Sequence, residues 1–299
     1  LGESERLAVE GYLANKWGIA HQLPVDHANR DLMSGIGSGI SAEITAASPT
    51  QAYPIPVTVT FKKNGANHTV SNFANDFTTS FKPSEINGLE LWLDASDGSS
   101  ILHSSNDVSA WNDKSGNGND AFNHGSEYPQ YDGTTINGRK VVHFVATGNA
   151  TGDVLKGAFA SGSQPFSGST GGTVIIVFKQ KSFVGTEFAA VLELAEGAYA
   201  SSSYGDRLIT NLVGSAYGSA GNINAVRMAG GAGDTNYIAR IENGAPVIMS
   251  YTNDGTTTKT YANSDQVGTA SEDEADNART HFCLGDDMTS GDHFNGYIC

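Results

Sequence analysis

Carboxylate and amide side chains gather in one short part of this sequence, between residues 94 and 120. Asp, Asn and Gly follow one another there with few apolar residues, which is typical of a loop. Calcium takes roughly six to eight oxygen ligands, and carboxylates, Asn side chains and loop carbonyls supply them. The same side chains tie many loops together through backbone hydrogen bonds, and the sequence leaves both interpretations open. The candidate metal ligands are Asp94, Asp97, Asp113, Asn117, Asn119 and Asp120.

Aromatic side chains offer a second chemistry, since exposed rings stack on sugar faces while polar groups fix the hydroxyls. The candidate ligand contacts are Tyr128, Tyr131 and Tyr217, the last of which lies in a Gly-rich segment. Single exposed tyrosines are also ordinary on protein surfaces, so an idle surface ring is the alternative. We assign Trp92 and Trp111 to the core.

The carboxylates do not form the pair that glycoside hydrolysis requires. A retaining enzyme needs two carboxyls about 5 to 5.5 Å apart, which alternate positions on one strand provide. The run at 272–276 has no large apolar residue to anchor a strand, so it reads as solvated charge. Glu193 and Glu196 are three positions apart and would point to opposite faces. With no nucleophile elbow and no Cys-x-x-Cys pair, the sequence predicts that this protein is not an enzyme.

Two cysteines, Cys283 and Cys299, lie near the end of the sequence with a turn-rich segment between them. If the flanking strands form a hairpin, a disulfide between them is feasible and would suit an oxidising, secreted setting. Two buried thiols are the alternative. The sequence does not decide between them.

The first 24 residues contain the one convincing helical pattern. Val9, Tyr12, Leu13 and Trp17 recur at helical spacing, and Gly18 is placed to end the helix. A helix this short is marginal alone, so its apolar stripe must dock on a sheet. That sheet could belong to the same chain or to a neighbouring copy.

From residue 88 onward, short β segments separated by turn signals predict an all-β sandwich of two antiparallel sheets. Before it, residues 34–41 read as a Gly/Ser-rich linker, and a strand at 54–61 suggests a short β spacer, partly immunoglobulin-like. The strands of the sandwich are predicted near 90–94, 140–146, 173–180, 188–195, 206–213, 236–242, 246–252, 257–263, 280–285 and 294–299.

The composition bears on the partners of the chain. There are 17 Lys plus Arg against 32 Asp plus Glu, a formal net charge of -15. Such a surface repels nucleic acid and anionic membranes, which argues against both as partners. No apolar run approaches the roughly 18 residues that a membrane-spanning helix needs, so no membrane insertion is expected. Because the sequence opens on Leu1 without Met, we expect it to be a piece of a longer protein.

Two motifs together carry a family resemblance. The run LWLDASD at 91–97, followed by WNDKSGNGNDA at 111–121, resembles the opening of laminin-G-like domains of the concanavalin A-like lectin/glucanase superfamily. EGYLANKWGIAHQLPVDH at 10–27 resembles their closing segment. The resemblance implies a jelly roll over 87–299, a linker with short β segments over 30–86, and a closing-type helix over 1–29. It also implies calcium at the rim in some members.

Such domains occur as repeats in large bacterial surface and secreted proteins, and this setting suggests two functions. The first is a non-catalytic repeat module, extracellular or at the cell surface, that acts in adhesion or carbohydrate recognition. The second is a structural subunit of an extracellular filament, assembled between neighbouring copies through the helix stripe and an unpaired strand edge at 294–299. The expected partners are a carbohydrate or another extracellular ligand, and further copies of the repeat.

Overall fold

The computed structural model describes residues 1–27, 29–30, 40–46, 57–63, 66–68, 83–148, 151–160, 164–165, 171–181, 188–195, 207–213, 225–230, 237–240, 244–270, 279–286 and 293–299. For the strands within 40–68 and 207–240, the description covers backbone pairing. Within these ranges the chain forms one α-helix, α1 (Glu3–Trp17), and strands that we number in chain order. The strands are β1 (Ile40–Ala46), β2 (Val57–Lys63), β3 (Ala66–His68), β4 (Ile101–Ser104), β5 (Asp107–Trp111), β6 (Ala121–Asn123), β7 (Thr135–Ile136), β8 (Arg139–Lys140), β9 (Val142–Phe144), β10 (Ala146–Gly148), β11 (Thr151–Gly152), β12 (Leu155–Ala158), β13 (Gly172–Gln180), β14 (Phe188–Ala195), β15 (Arg207–Val213), β16 (Ala225–Gly230), β17 (Tyr237–Arg240), β18 (Pro246–Asn253), β19 (Thr258–Ala262), β20 (Asp265–Ala270), β21 (His281–Leu284) and β22 (Gly296–Ile298).

Two large antiparallel sheets make up the sandwich. The six-stranded sheet has the order β20-β19-β18-β13-β22-β9, and the nine-stranded sheet has the order β17-β16-β15-β14-β21-β12-β6-β5-β4. The late strands β21 and β22 are inserted between earlier strands, so neighbours in each sheet come from distant parts of the sequence. This arrangement confirms the predicted all-β jelly-roll class, with its N-terminal helix.

The core lies between the two sheets and is formed by alternate residues of facing strands. In β21, for example, Phe282 and Leu284 face inward, and in β13 Phe178 does so. Phe178 meets Phe294 edge-on, with ring centroids 6.0 Å apart. The largest fully buried side chains include Trp111, Tyr251, Phe144, Phe178, Phe282 and Phe294.

Helix α1 ends where the sequence predicts, because Gly18 takes a left-handed conformation with φ 73°. Its C-terminal half packs on the outer face of the six-stranded sheet of the same chain. Trp17, 2% exposed, lies there against Val177 and Ile248, the outward-facing residues of β13 and β18. Lys16 fixes the same end of the helix by an ion pair with Asp94, with Nζ and Oδ1 2.7 Å apart.

The N-terminal half of α1 docks through buried polar groups that the sequence pattern did not reveal. Arg6 Nη1 lies 2.6 Å from Glu10 Oε2, and the Arg6 guanidinium covers the ring of Tyr261 at 3.6 Å from its centroid. Glu10 also accepts a hydrogen bond from Ser264 Oγ. Its Oε2 lies 3.8 Å from His27 Nε2. A cation–π contact with Tyr261 and a hydrogen bond from Ser264 therefore join this charged pair of the helix to β19 and to the turn that follows it.

The surfaces predicted for assembly are largely occupied within the chain. Val9 and Trp17 are buried, and Tyr12 and Leu13 are half-buried. The predicted free strand edge is wrong, because β22 pairs with β13 on one side and β9 on the other. The apolar stripe of α1 thus stabilises its own sandwich.

Of the two alternatives for the cysteines, the disulfide is wrong, since Cys283 and Cys299 remain thiols. Cys283 sits between two inward-facing residues of β21, so it points to the outer face of the nine-stranded sheet, where it packs with Val154 and Ala195. Cys299 packs under α1, on the outer face of the six-stranded sheet. The whole core separates the two sulfurs, whereas a disulfide requires adjacent Cβ atoms. Burial raises the pKa of the Cys299 thiol.

The sequence predicts a strand at 90–94, but in the structure this segment belongs to no strand. Leu91 and Leu93 still pack against the core. The backbone of Trp92 is satisfied by the loop that follows β5: its N–H donates to Asp113 Oδ1 at 2.9 Å, and its carbonyl accepts from Lys114 N at 2.9 Å. Hydrogen bonds from the loop after β5 therefore pair the backbone of Trp92, as a neighbouring strand would.

A three-stranded antiparallel sheet, β1-β2-β3, lies within the predicted spacer. Ile40 and Ser41 begin β1, so the end of the predicted Gly/Ser linker is strand. Residues 34–39 of that linker lie outside the described residues. The immunoglobulin-like character of the spacer and the division into 1–29, 30–86 and 87–299 stay predictions.

Candidate functional site

The predicted metal ligands of the 112–120 loop act as hydrogen-bonding anchors. Asp113 Oδ2 accepts from Asn119 N at 3.1 Å, and Asp120 Oδ1 accepts from Asp113 N at 2.8 Å. Asn119 Nδ2 donates to Glu90 O at 2.7 Å, while its Oδ1 accepts from Ala160 N at 2.8 Å. Asn117 Nδ2 donates to Leu89 O at 2.9 Å. These side chains therefore hold the loop together through backbone hydrogen bonds, which is the second of the two roles that the sequence left open.

Asp94 and Asp97 face lysine ammonium groups. Lys114 Nζ lies 3.3 Å from Asp94 Oδ2, 2.7 Å from Asp97 Oδ2 and 4.4 Å from the centroid of the Trp92 ring. Burial would raise the pKa of Asp94, but Lys16, Ser96 and Lys114 outweigh it and lower that pKa. Hydrogen bonds from Lys114 and Ser99 lower the pKa of Asp97 to about 2. Among the described residues, no three His, Cys, Asp or Glu side chains converge as metal ligands. Calcium binding stays a prediction.

The three predicted ligand-contacting tyrosines have different surroundings. Tyr131 is 3% exposed and donates its hydroxyl to Ala95 O at 2.9 Å, so its assignment as a surface contact is wrong. Tyr128 is 41% exposed. Tyr217 lies outside the described residues. Trp111, assigned to the core, is fully buried.

Tyr128 belongs to a segment that closes one edge of the sandwich. Along 128–132, Pro129 and Tyr131 are buried while the residues between and beside them are more exposed. Gln130 bridges Asp107 of the nine-stranded sheet to His143 of the six-stranded sheet. Its Nε2 also donates to Asp107 Oδ1 at 2.8 Å. The segment therefore presents Tyr128 and Gln130 next to β5.

An exposed apolar row lies on the outer face of three neighbouring strands, β4, β5 and β6. Leu102, Ala110 and Phe122 are directly opposite one another across β4, β5 and β6. The next row, with Ile101, Trp111 and Ala121, belongs to the core. Since successive residues of a strand point to opposite faces, the row with Phe122 points outward. Leu102 is 46% exposed and Phe122 is 55% exposed.

We call these residues together the β4–β6 face: Leu102, Ser109, Ala110, Phe122 and Tyr128. It holds three of the five large hydrophobic side chains that are exposed in the described part of the chain. The other two, Leu1 and Val25, lie in the N-terminal segment. The sequence analysis missed Phe122 because it predicted no strand at 121–123, where a three-residue strand offers too little periodicity.

A group of three hydrogen-bonded side chains flanks the segment at 128–132. His143 Nε2 lies 3.4 Å from Lys181 Nζ, and His143 Nδ1 lies 3.4 Å from Asp132 Oδ2. Because an ammonium only donates, Nε2 is the acceptor and Nδ1 carries the proton that faces Asp132. Burial and the Lys181 charge lower the pKa of His143, although Asp132 opposes them. The imidazole is thus neutral at pH 7, held between two charged groups.

The carboxyl of Asp153 gives a prediction about how the free energy of unfolding depends on pH. Burial, with the charges of Glu127 and Asp107, raises its pKa from 3.8 to about 6, although Val145 N donates to its Oδ2 at 2.7 Å. The carboxyl therefore stabilises the fold below pH 4, and this contribution is lost as the pH rises through 6. The shift corresponds to about 3 kcal/mol. Asp153→Asn keeps the acceptor, so its stability relative to the parent protein should increase between pH 4 and pH 7.5 in urea unfolding.

Asp132→Asn is the matched control for that measurement. Burial would raise the pKa of Asp132, but Thr134 and His143 outweigh it and lower that pKa. Its contribution is present above the unfolded-state pKa of 3.8 and is lost only as the pH falls below that value. The stability of Asp132→Asn relative to the parent protein should therefore stay nearly constant between pH 4 and pH 7.5. Parallel pH profiles for the parent protein and Asp153→Asn would contradict the prediction.

The chain is thus a two-sheet jelly-roll sandwich with an exposed aromatic face. Its backbone is similar to parts of several solved structures. One is the CBM40 of the Ruminococcus gnavus IT-sialidase, 17% identical with a TM-score of 0.33, covering 44% of this chain and 73% of that one. Another is domain 4 of a GH43 extracellular arabinanase from Geobacillus stearothermophilus, in complex with arabinotriose, 16% identical with a TM-score of 0.42, covering 62% and 82%. A third is an arabinofuranosidase complexed with arabinofuranosyl-α-1,2-xylobiose, 10% identical with a TM-score of 0.47, covering 87% and 57%.

No family model and no curated protein matches the sequence. At the identities and TM-scores above, these likenesses carry no argument about this chain. Among the described residues, no helix is both long and apolar enough to cross a membrane. The assignment of ligand chemistry therefore depends on the residues of the β4–β6 face.

Proposed function

We propose that this chain is a non-catalytic carbohydrate-recognition module, of laminin-G-like type, that belongs to an extracellular or surface protein. The observation that carries the proposal is the concentration of exposed apolar side chains on the β4–β6 face. Phe122 and Tyr128 are both exposed there. The amide of Gln130 contacts Tyr128 O and the carboxylate of Asp107, and it lies further along β5 than Phe122. Aromatic rings next to fixed polar groups are what sugar recognition requires.

The polar groups beside this face are already oriented. Gln130 Nε2 donates to Asp107 Oδ1 and also to Tyr128 O, at 2.7 Å, so the amide is held on two sides. The backbone of Gln130 is paired to His143 in both directions, at 2.8 and 2.9 Å. Preorganised groups of this kind reduce the entropic cost of binding. The sandwich supports them on strands of two sheets.

Binding to a panel of immobilised neutral polysaccharides tests the proposal. Phe122→Ala combined with Tyr128→Ala should weaken retention of the bound polysaccharide by tenfold or more, about 1.4 kcal/mol or above, because it removes both stacking surfaces. Val25→Ala removes an exposed apolar side chain, 88% exposed, outside the face and should leave retention unchanged. Equal retention of all three proteins, or no retention by the parent protein, would contradict the proposal. Adding a chelator to the same assay tests the predicted calcium.

A further inference from the structure

The middle of the β4–β6 face is lower than its sides. Ala110 lies on the outer surface of β5, yet it is only 4% exposed because Leu102 and Phe122 stand on either side of it. The pairing of β4 with β5 shifts after Leu102, and this bulge accommodates Ser109. Ser109 Oγ donates to Leu102 O at 3.1 Å, so its hydroxyl turns toward the backbone. Ser109 and Ala110 thus form the floor of a shallow trough along β5.

The sides of the trough are unequal. Neighbouring strands are about 4.8 Å apart, which places the backbones that carry Leu102 and Phe122 about 10 Å apart. Continuing the antiparallel pairing of Gln130 with Asp107 places Tyr128 beside Ser109, on the same side as Phe122. One side of the trough therefore carries two aromatic residues in succession along β5, and the other carries Leu102.

The charges around the trough limit what it accepts. Asp107 and Gln130 stand at one end, and the charges of Asp107 and Glu127 both reach the nearby Asp153. None of the five residues of the β4–β6 face is cationic, and Lys156, which pairs with Phe122, is half-buried. The chain as a whole carries a formal charge of -15. Binding an anionic chain here would oppose this field.

We infer that the β4–β6 trough binds an extended, uncharged polysaccharide lengthwise along β5, so that it recognises the interior of the chain. This inference rests on the proposed function and adds the ligand class and its direction. Successive sugar rings meet Phe122 and Tyr128, while Asp107 and Gln130 are placed to bond hydroxyls at one end. The low floor at Ala110 leaves room for the sugar backbone between the two sides.

Ala110→Tyr is the variant that tests the trough, because it adds a ring to an outward-facing floor position and leaves Phe122 and Tyr128 in place. Ala110→Ser is its control, since the floor stays low. The probes are mixed-linkage β-glucan, xylan and mannan, each as the polymer and as its monosaccharide, together with anionic polygalacturonate. Affinity for each is measured by calorimetry, and the melting temperature of each variant is recorded.

The expected result has three parts. At least one neutral polymer binds, its monosaccharide fails to compete, and Ala110→Tyr lowers affinity for the polymer about tenfold or more at an unchanged melting temperature. Competition by the monosaccharide, or tighter binding of polygalacturonate, would overturn the inference while leaving carbohydrate recognition intact. The inference would also be overturned, with carbohydrate recognition intact, if Ala110→Tyr keeps its affinity for the polymer while the double variant Phe122→Ala, Tyr128→Ala loses it. Binding of none of these probes would overturn the proposed function itself.

Discussion

Replacing Arg6 by Met should lower the free energy of unfolding by about 3 to 5 kcal/mol, because it leaves a buried carboxylate without its cation. Glu10 is fully buried and lies 2.6 Å from Arg6 Nη1. Met keeps much of the apolar stem that packs near Tyr261, so the lost charge is the main change. Urea unfolding of the parent protein and the variant measures the difference.

A double replacement separates the charge effect from the loss of packing. Arg6→Met with Glu10→Leu removes both charges, and replacing a whole buried pair by apolar residues is often close to neutral. The double variant should therefore be more stable than Arg6→Met alone. If both variants are equally destabilised, the uncompensated charge of Glu10 is not the cause.

The pH dependence gives a second readout of the same pair. Burial would raise the pKa of Glu10, but His27, Ser250, Ser264 and Arg6 together hold it below 4.5. Its stabilising contribution is therefore present above pH 4.5 and is lost as the pH falls through the lowered value. Without Arg6, one of the groups that offset the effect of burial on the pKa of Glu10 is missing. The ionised carboxylate then destabilises the folded state. The gap between the parent protein and Arg6→Met should shrink at acid pH, as Glu10 takes up a proton.

This buried pair shows what periodicity alone does not predict. The pattern of Val9 and Trp17 predicted a helix with an apolar stripe, and both residues are buried. Arg6 and Glu10 are on the buried surface as well, although charged residues are normally assigned to solvent. Their partners, Tyr261 and Ser264, are more than 250 positions away, a distance at which no local pattern reports contact.

Some long strands were predicted closely, although β16 and β20, of six residues each, were missed. The prediction at 188–195 matches β14, and that at 173–180 matches β13 to within one residue, because each has many alternating or β-branched residues. The segments at 101–104 and 121–123 were also missed. They are as short as β21 and β22, but they lack the apolar and aromatic flanking residues by which 280–285 and 294–299 were predicted. The apolar row of Leu102 and Phe122 lies on these missed strands.

The roles of polar loop residues were predicted only as alternatives. Asp113 can bind a cation or accept backbone hydrogen bonds with the same oxygens, so its residue type alone does not choose. The choice depends on which groups the fold brings near. Trp92 N and Asn119 N both donate to Asp113. Trp92 N reaches it because the 90–94 segment lies against the loop, and Asn119 N reaches it because the loop folds back on itself.

Trp17→Ala should lower the free energy of unfolding by about 3 to 5 kcal/mol, because a large buried side chain leaves a cavity under the helix. Trp17 packs against Ile248 and Val177 of its own chain, so the mass of the particle in light scattering should not change. Tyr12→Ala, at a half-buried position of the same stripe, should cost less. An unchanged stability with loss of a large assembly would instead favour the filament hypothesis, in which the helix stripe joins neighbouring copies.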